Sequence, residues 1–285
     1  MSILLRMVDG WRMRFFFAEL MKYKINCFDL SIQGINKDDY KKNTGVDGFN
    51  DYIQAIKNLR ENNQNYKFTY VVTELNREKI VSLLEFSQKY KIDDITFEFE
   101  KGVVGESVAK LGMKECADFV KVIYDVFKNK GIKYEIATSF PLCLIQEELL
   151  ERMIESKCIS TACHVQGKNV LTIDPKCNLL PCSAFVDYGF DDNKVILKGA
   201  DETNAFMDSY KADIFYDRTG KYPHSRCIKC KYWDLCGGGC FVRWFFEKPC
   251  DVIPDDGQMG GKLADLLMNH NIGTLKDAPE SQRHL

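Results

Sequence analysis

Four cysteines near the C-terminus set the chemistry this chain can hold. Cys227, Cys230, Cys236 and Cys240 follow one another with two, five and three residues between them, inside CIKCKYWDLCGGGC, and Cys250 comes after nine more. Thiolates this close repel one another unless a metal or cluster core neutralises them. Gly237, Gly238 and Gly239 precede Cys240, and glycine lets backbone approach where a side chain would clash. Such a chain suits a tight wrap around an inorganic core. Three readings compete. Disulfide pairing belongs to exported chains, but the opening MSILLRMVDGWRMR lacks the unbroken apolar run and small-residue cleavage site of a secretory signal. A structural zinc site usually takes two well-separated Cys-x2-Cys knuckles, and only one such pair occurs here. Iron–sulfur ligation needs four thiolates and tolerates compact, uneven spacing; it fits best.

The cysteines upstream sharpen the choice. Cys158, Cys163, Cys177 and Cys182 lie in CISTACHVQGKNVLTIDPKCNLLPC, so nine of the twelve cysteines fall between residues 158 and 250. Nine thiols suffice for two four-thiolate clusters with one to spare, whereas a single zinc leaves half of them unexplained. Cys27, Cys116 and Cys143 stand isolated in the sequence.

This pattern resembles the SPASM domain of radical S-adenosylmethionine (SAM) enzymes. Cys163, Cys182, Cys227, Cys230, Cys236, Cys240 and Cys250 match that family's seven cysteines in order, across about residues 158 to 250. The resemblance implies two auxiliary 4Fe–4S clusters. The first would be held by Cys163, Cys182 and Cys240 with Cys158 as fourth ligand, and the second by Cys227, Cys230, Cys236 and Cys250. One position departs from the family: Cys177 stands in the turn DPKC where the family has glycine. It is therefore either a free thiol or an alternative to Cys158. A second departure is Ser183, which follows Cys182 where sulfatase-maturating relatives have aspartate. That puts formylglycine formation in doubt and leaves thioether or carbon–carbon peptide crosslinking open.

The elements upstream must position this block. Ile3 to Val8 reads as a short strand and residues 11 to 24 as a helix. Asn26 to Gln33, Lys67 to Thr73, Asp94 to Phe99 and Ile132 to Thr138 read as strands, being apolar, β-branched or alternating. Helical spacing covers residues 50 to 62, a segment after Asn76 as N-cap, and a longer stretch with Cys116, Phe119, Val120, Ile123 and Phe127 on one face. Helix-sized connections between strands imply a parallel sheet. The expected fold is α/β: the C-terminal part of a parallel (β/α)6 partial barrel, followed by a small cysteine-rich SPASM domain with a β-hairpin. The expected boundaries are 1–150 for the barrel from its third strand onward, 151–252 for the iron–sulfur domain and 253–285 for a polar tail. LSIQGINKDDYKKNTGVDGF is similar to the family's fourth strand and the loop after it, which makes Ser31 and Gln33 candidate SAM contacts. Glu98 and Glu100 are candidates for the barrel interior, His164 for a hydrogen bond beside a cluster, and Tyr232 and Trp233 for shielding it from water.

The Cys-x3-Cys-x2-Cys motif that holds the SAM-cleaving cluster in that family occurs nowhere in the chain. A fragment of a longer enzyme is the expectation, because a sheet starting at the third strand bares an unpaired edge. In a full-length form the family's chemistry is SAM cleavage to a 5′-deoxyadenosyl radical that abstracts hydrogen from a peptide or protein substrate. Electrons would come from a donor such as ferredoxin or flavodoxin. The alternatives are a non-catalytic iron–sulfur or peptide-binding module beside a complete enzyme, and a zinc-binding scaffold. Charged residues are 28% and the net charge is −2 without a long basic run, so nucleic acid is not an expected partner. No apolar stretch reaches about 18 residues, so no membrane span is expected. Cysteine richness without a signal points to the reducing cytoplasm.

Overall fold

The computed structural model describes residues 2–5, 22, 25–103, 108–161, 172–173, 179–180, 182–185 and 223–253. The chain divides into two compact units. One comprises Met1–Phe99, Phe119–Ala137 and Ser156–Ile159; the other comprises Glu100–Asp118, Thr138–Glu155 and Ser160–Leu285.

The first unit is built on a parallel sheet. Strands β1 (Ser2–Leu5), β2 (Cys27–Ser31), β3 (Tyr66–Val72), β4 (Asp94–Phe99) and β5 (Lys133–Ala137) lie side by side in sequence order, all four pairings parallel. β6 (Ile159–Ser160) extends the sheet beyond β5, where the Ile136 N–H donates to the Cys158 carbonyl at 2.8 Å. Successive side chains alternate between faces, and the register stacks the apolar ones. Leu30 stands opposite Phe68, Phe68 opposite Ile95, Tyr70 opposite Phe97, and Phe97 opposite Ile136. All of these are buried. The other face carries Asp29, Lys67, Thr69, Thr96, Glu98 and Glu135 in matching register. Lys67 pairs with Asp29 at 3.3 Å, and the Thr69 hydroxyl donates to the Asp29 carboxylate at 2.7 Å. A parallel sheet with one polar face is unusual for two-sided burial and suits a barrel whose inner wall meets a ligand.

Helices α1 (Lys37–Thr44), α2 (Phe49–Glu61), α3 (Ile80–Tyr90) and α4 (Met113–Phe127) form most of the connections. α2, α3 and α4 follow the expected apolar spacing, with Ile53, Ile56 and Leu59, then Ile80 and Leu83, then Cys116, Val120, Ile123 and Phe127 buried. α1 differs from the expectation of a loop. It buries only Tyr40, so periodicity gives no signal. Its ends carry the signal instead. Asn36 accepts the Asp39 N–H at 2.9 Å, Asp38 and Asp39 sit in the first turn, and Gly45 closes the helix in the left-handed region. Asn76 does precede the turn Arg77–Lys79 that runs into α3, but its side chain does not cap it. The side chain binds back to the end of β3, accepting the Thr73 N–H and donating to the Val71 carbonyl, each at 2.8 Å. Such local bonds are what make asparagine a turn former.

In the second unit, α5 (Glu147–Glu155) buries Leu149, Leu150 and Met153. β7 (Thr172–Ile173) and β8 (Leu179–Leu180) form an antiparallel pair, the hairpin expected around Cys177. Two single-turn helices follow, α6 (Trp233–Cys236) and α7 (Pro249–Val252). Of the helix expected at 11–24 only Lys22 is described, in a turn, and the tail from 254 onward lies outside the described residues. Among the described residues no helix is long and apolar enough to cross a membrane.

Candidate metal centre

The cysteine block folds as a chain of tight turns. The His224 imidazole accepts the Arg226 N–H at 3.2 Å and opens the turn Ser225–Lys229, which carries Cys227. The Cys230 N–H closes that turn on the Cys227 carbonyl at 3.3 Å. α6 then delivers Cys236, and Gly237, Gly238 and Gly239 all take positive φ, at 55°, 82° and 81°. At Gly238 and Gly239 the demand is double. A Cβ on Gly238 would stand 2.5 Å from the Pro223 side chain, and one on Gly239 would stand 2.8 Å from the Phe140 carbonyl carbon. The glycine run thus turns left-handed and presses backbone against backbone.

Sulfur atoms in this block collect N–H donors. The Leu142 N–H points at the Cys236 sulfur at 3.3 Å, and the Gly238 and Gly239 backbones act on the same sulfur. The His224 backbone does so on Cys227. Burial pushes the Cys227 thiol up to about 12, aided by the charges of Cys143, Cys236 and Cys230. Burial also raises Cys236, against the pull of its three N–H donors. N–H donors aimed at ligand sulfurs are a lever by which proteins set cluster potentials.

Cys227, Cys230 and Cys236 thus fall in successive turns of one short segment, Cys227 and Cys236 buried and Cys230 half-buried. Cys240 is half-buried, its N–H on the Ser139 carbonyl at 3.4 Å. Cys182 is half-buried ahead of the turn Ser183–Phe185. Cys250 is exposed on α7, its sulfur 3.7 Å from the Asp251 carboxylate. Cys158, in the first unit, is buried, with its sulfur 3.3 Å from the Ser156 hydroxyl. Cys163, His164 and Cys177 lie outside the described residues. Among the described residues no three His, Cys, Asp or Glu side chains converge on one ion. The donor set here is all sulfur, spread through successive turns and supplied with N–H groups. A four-iron cluster takes one thiolate per iron across a cube, and the cysteines of this segment are of the donor type it needs.

Ser31 ends β2 opposite Thr69, half-buried. Beyond it the Gln33 carbonyl accepts the Asn43 amide at 2.6 Å. Glu98 lies on the polar face of β4, half-buried. The Tyr232 hydroxyl donates to Glu151 at 3.3 Å, and Trp233 lies beside Gly238.

Sequence reasoning missed two residues of the second unit. Cys143, which has no motif around it, follows Leu142, whose N–H donates to the Cys236 sulfur at 3.3 Å. Arg243, 1% exposed, donates to the Glu100 carbonyl at 2.8 Å and the Leu111 carbonyl at 2.6 Å, and pairs with Glu247 at 3.0 Å. It fixes the turn Phe241–Phe245 that follows Cys240. Neither position leaves a local pattern, since the Leu142 N–H beside Cys143 reaches Cys236 94 residues on, and the carbonyls that Arg243 holds lie 143 and 132 residues earlier.

No family model matches the chain. Among curated proteins it is similar to a probable GTP 3′,8-cyclase of Saccharolobus islandicus, 27% identical over 151 residues, which are 52% of this chain and 48% of that protein. The chain spans about half the length of the curated relatives it matches. In fold it is similar to Streptococcus suis SuiB bound to the precursor peptide SuiA, with TM-score 0.54, 19% identity, and coverage of 90% of this chain and 58% of that one. It is also similar to anSMEcpe with bound AdoMet and the Kp18Cys peptide, with TM-score 0.51, 18% identity, and coverage of 88% and 68%. The chain thus resembles radical SAM proteins in sequence and has the fold of SPASM-type radical SAM enzymes.

Proposed function

We propose that this chain is the cluster-bearing part of a SPASM-type radical SAM protein that acts on a peptide, with two auxiliary 4Fe–4S clusters. What supports this most is the run of tight turns that carries Cys227, Cys230 and Cys236, with the Leu142 N–H pointing at the Cys236 sulfur. A cluster bound there would supply one-electron chemistry or a coordination site. The chain's own residues exclude water from it, hold the thiols and donate hydrogen bonds to them. The second cluster takes Cys227, Cys230 and Cys236, and the resemblance adds Cys250. The first takes Cys158, Cys163, Cys182 and Cys240. Ser31 and Gln33, at the end of β2, are the proposed SAM contacts of a full-length form, and ferredoxin or flavodoxin the proposed electron donor.

A peptide is preferred to a nucleotide as substrate because the seven-cysteine pattern belongs to peptide-modifying relatives, and the fold likeness to SuiB spans 90% of the chain. The chain as given has no Cys-x3-Cys-x2-Cys, so it should not cleave SAM by itself. That same observation keeps a second reading in view: a non-catalytic module working beside a complete enzyme. Anaerobic reconstitution tests the cluster assignment. The protein should bind about eight iron and about eight sulfide per chain. Stoichiometric zinc in a colourless protein would overturn it. Formation of 5′-deoxyadenosine by this chain alone would refute the activity statement.

A further inference from the structure

We propose that the chain following Cys240 is a strap across the start of α4. Arg243 and Glu247 hold the first turn of that helix folded, and strap and turn open together as one cooperative unit. The contacts that make the strap run between nitrogen and oxygen atoms of the chain itself, so the inference stands apart from the cluster reading.

α4 begins without a side-chain cap in front of it. Gly112 precedes Met113, and glycine has no side-chain oxygen to accept an N–H of the first turn. Glu115 reaches back and accepts the Gly112 N–H at 3.0 Å. The acceptor for the Met113 N–H comes from 134 residues away, where Glu247 Oε2 takes it at 2.9 Å. A carboxylate in that place also meets the positive end of the helix dipole. Lys114 adds a second tie, its ammonium donating to the Asp251 carbonyl at 2.8 Å.

The other oxygen of Glu247 fixes Arg243, with Oε1 3.0 Å from Nη2. The buried guanidinium donates to the Glu100 carbonyl at 2.8 Å and to the Leu111 carbonyl at 2.6 Å. It thus grips both ends of the segment that runs from β4 to α4. Along the strap, the Arg243 N–H donates to the Cys240 carbonyl and the Glu247 N–H to the Arg243 carbonyl, each at 3.0 Å. Buried Val242, Trp244, Val252 and Ile253 pin it on either side of the pair.

Cooperativity follows from charge. A buried ion pair that loses one partner leaves the other charge uncompensated, so Arg243 and Glu247 swing out together. That one movement frees the Leu111 carbonyl and the Met113 N–H at once. Cys240 lies three residues before Arg243, and Cys250 three after Glu247. A displacement of either cysteine is therefore felt at the start of α4. Cys116 is a built-in probe of the movement: its sulfur is fully buried, 3.9 Å from both Arg243 Nη2 and the Leu111 carbonyl.

The test uses the full chain, metal-free and reduced. Hydrogen exchange is followed at the Met113 and Glu247 amides, and iodoacetamide labelling at Cys116. In the unmodified chain the three sites should report one opening, with equilibrium constants within about threefold of one another and larger than those of β3 and β4 amides. Glu247→Ala should speed Met113 exchange and Cys116 labelling by at least about tenfold, although Glu247 acts on Cys116 only through Arg243. Asn36→Ala, which weakens α1 instead, should change neither. Opening constants that differ by more than about tenfold among the three sites of the unmodified chain overturn the proposal. So does Cys116 labelling in Glu247→Ala that stays within about twofold of the unmodified rate.

Discussion

Gly239→Ala isolates the close approach on which the cysteine block depends. Two costs add at that position. An L-residue at φ 81° carries about 1–2 kcal/mol of left-handed strain. The new Cβ would also sit 2.8 Å from the Phe140 carbonyl carbon and 2.9 Å from the Pro141 nitrogen. Those are backbone atoms and cannot rotate away, so the two segments must separate, at about 1–3 kcal/mol more by analogy with overpacking. Gly45 is the control. Its φ is 75° and nothing lies within 4 Å of a built Cβ, so Gly45→Ala should cost only the strain, about 1–2 kcal/mol. Denaturant unfolding of both metal-free variants, with iron and sulfide counts after reconstitution, provides the assay. Gly239→Ala should be the less stable by about 1–3 kcal/mol. It should also lose about four iron, because separation withdraws the Leu142 N–H and the neighbouring turn from Cys236. Equal stability of the two variants, together with full iron in Gly239→Ala, would refute the reasoning.

Arg243→Met should destabilise the chain by about 3–5 kcal/mol, since it strands the buried Glu100 and Leu111 carbonyls and leaves Glu247 without its cation; a shift in unfolding free energy below about 1 kcal/mol would contradict this. Asn36→Ala should cost about 1 kcal/mol through loss of the α1 cap, and Asn36→Asp should restore most of it; thermal unfolding of the three proteins decides. Cys158→Ala should degrade the first cluster while Cys177→Ala leaves the iron content unchanged, because the sequence Asp-Pro-Lys-Cys-Asn reads as a turn and turn tips point away from a packed base. Tolerance at Cys158 with iron loss at Cys177 would reassign that ligand.

The parallel sheet was legible because its strands repeat a period of two that depends only on neighbouring residues. Ile95, Phe97 and Phe99 alternate with Thr96 and Glu98, and the structure puts the first set in the core and the second on the polar face. Spacing alone likewise marked Cys227, Cys230 and Cys236 as a group, and the glycines before Cys240 as a tight turn, since both are properties of one short segment. α1 left its signal in its caps, not in its periodicity, because a helix that buries only Tyr40 needs no apolar stripe. Cys143 and Arg243 left no local signal. The Leu142 N–H beside Cys143 meets a sulfur more than ninety residues later, and the partners of Arg243 include carbonyls more than a hundred residues earlier. Such positions are set by which segments the folded backbone presses together, here Phe140 and Pro141 against Gly239, and only the tertiary structure holds that information.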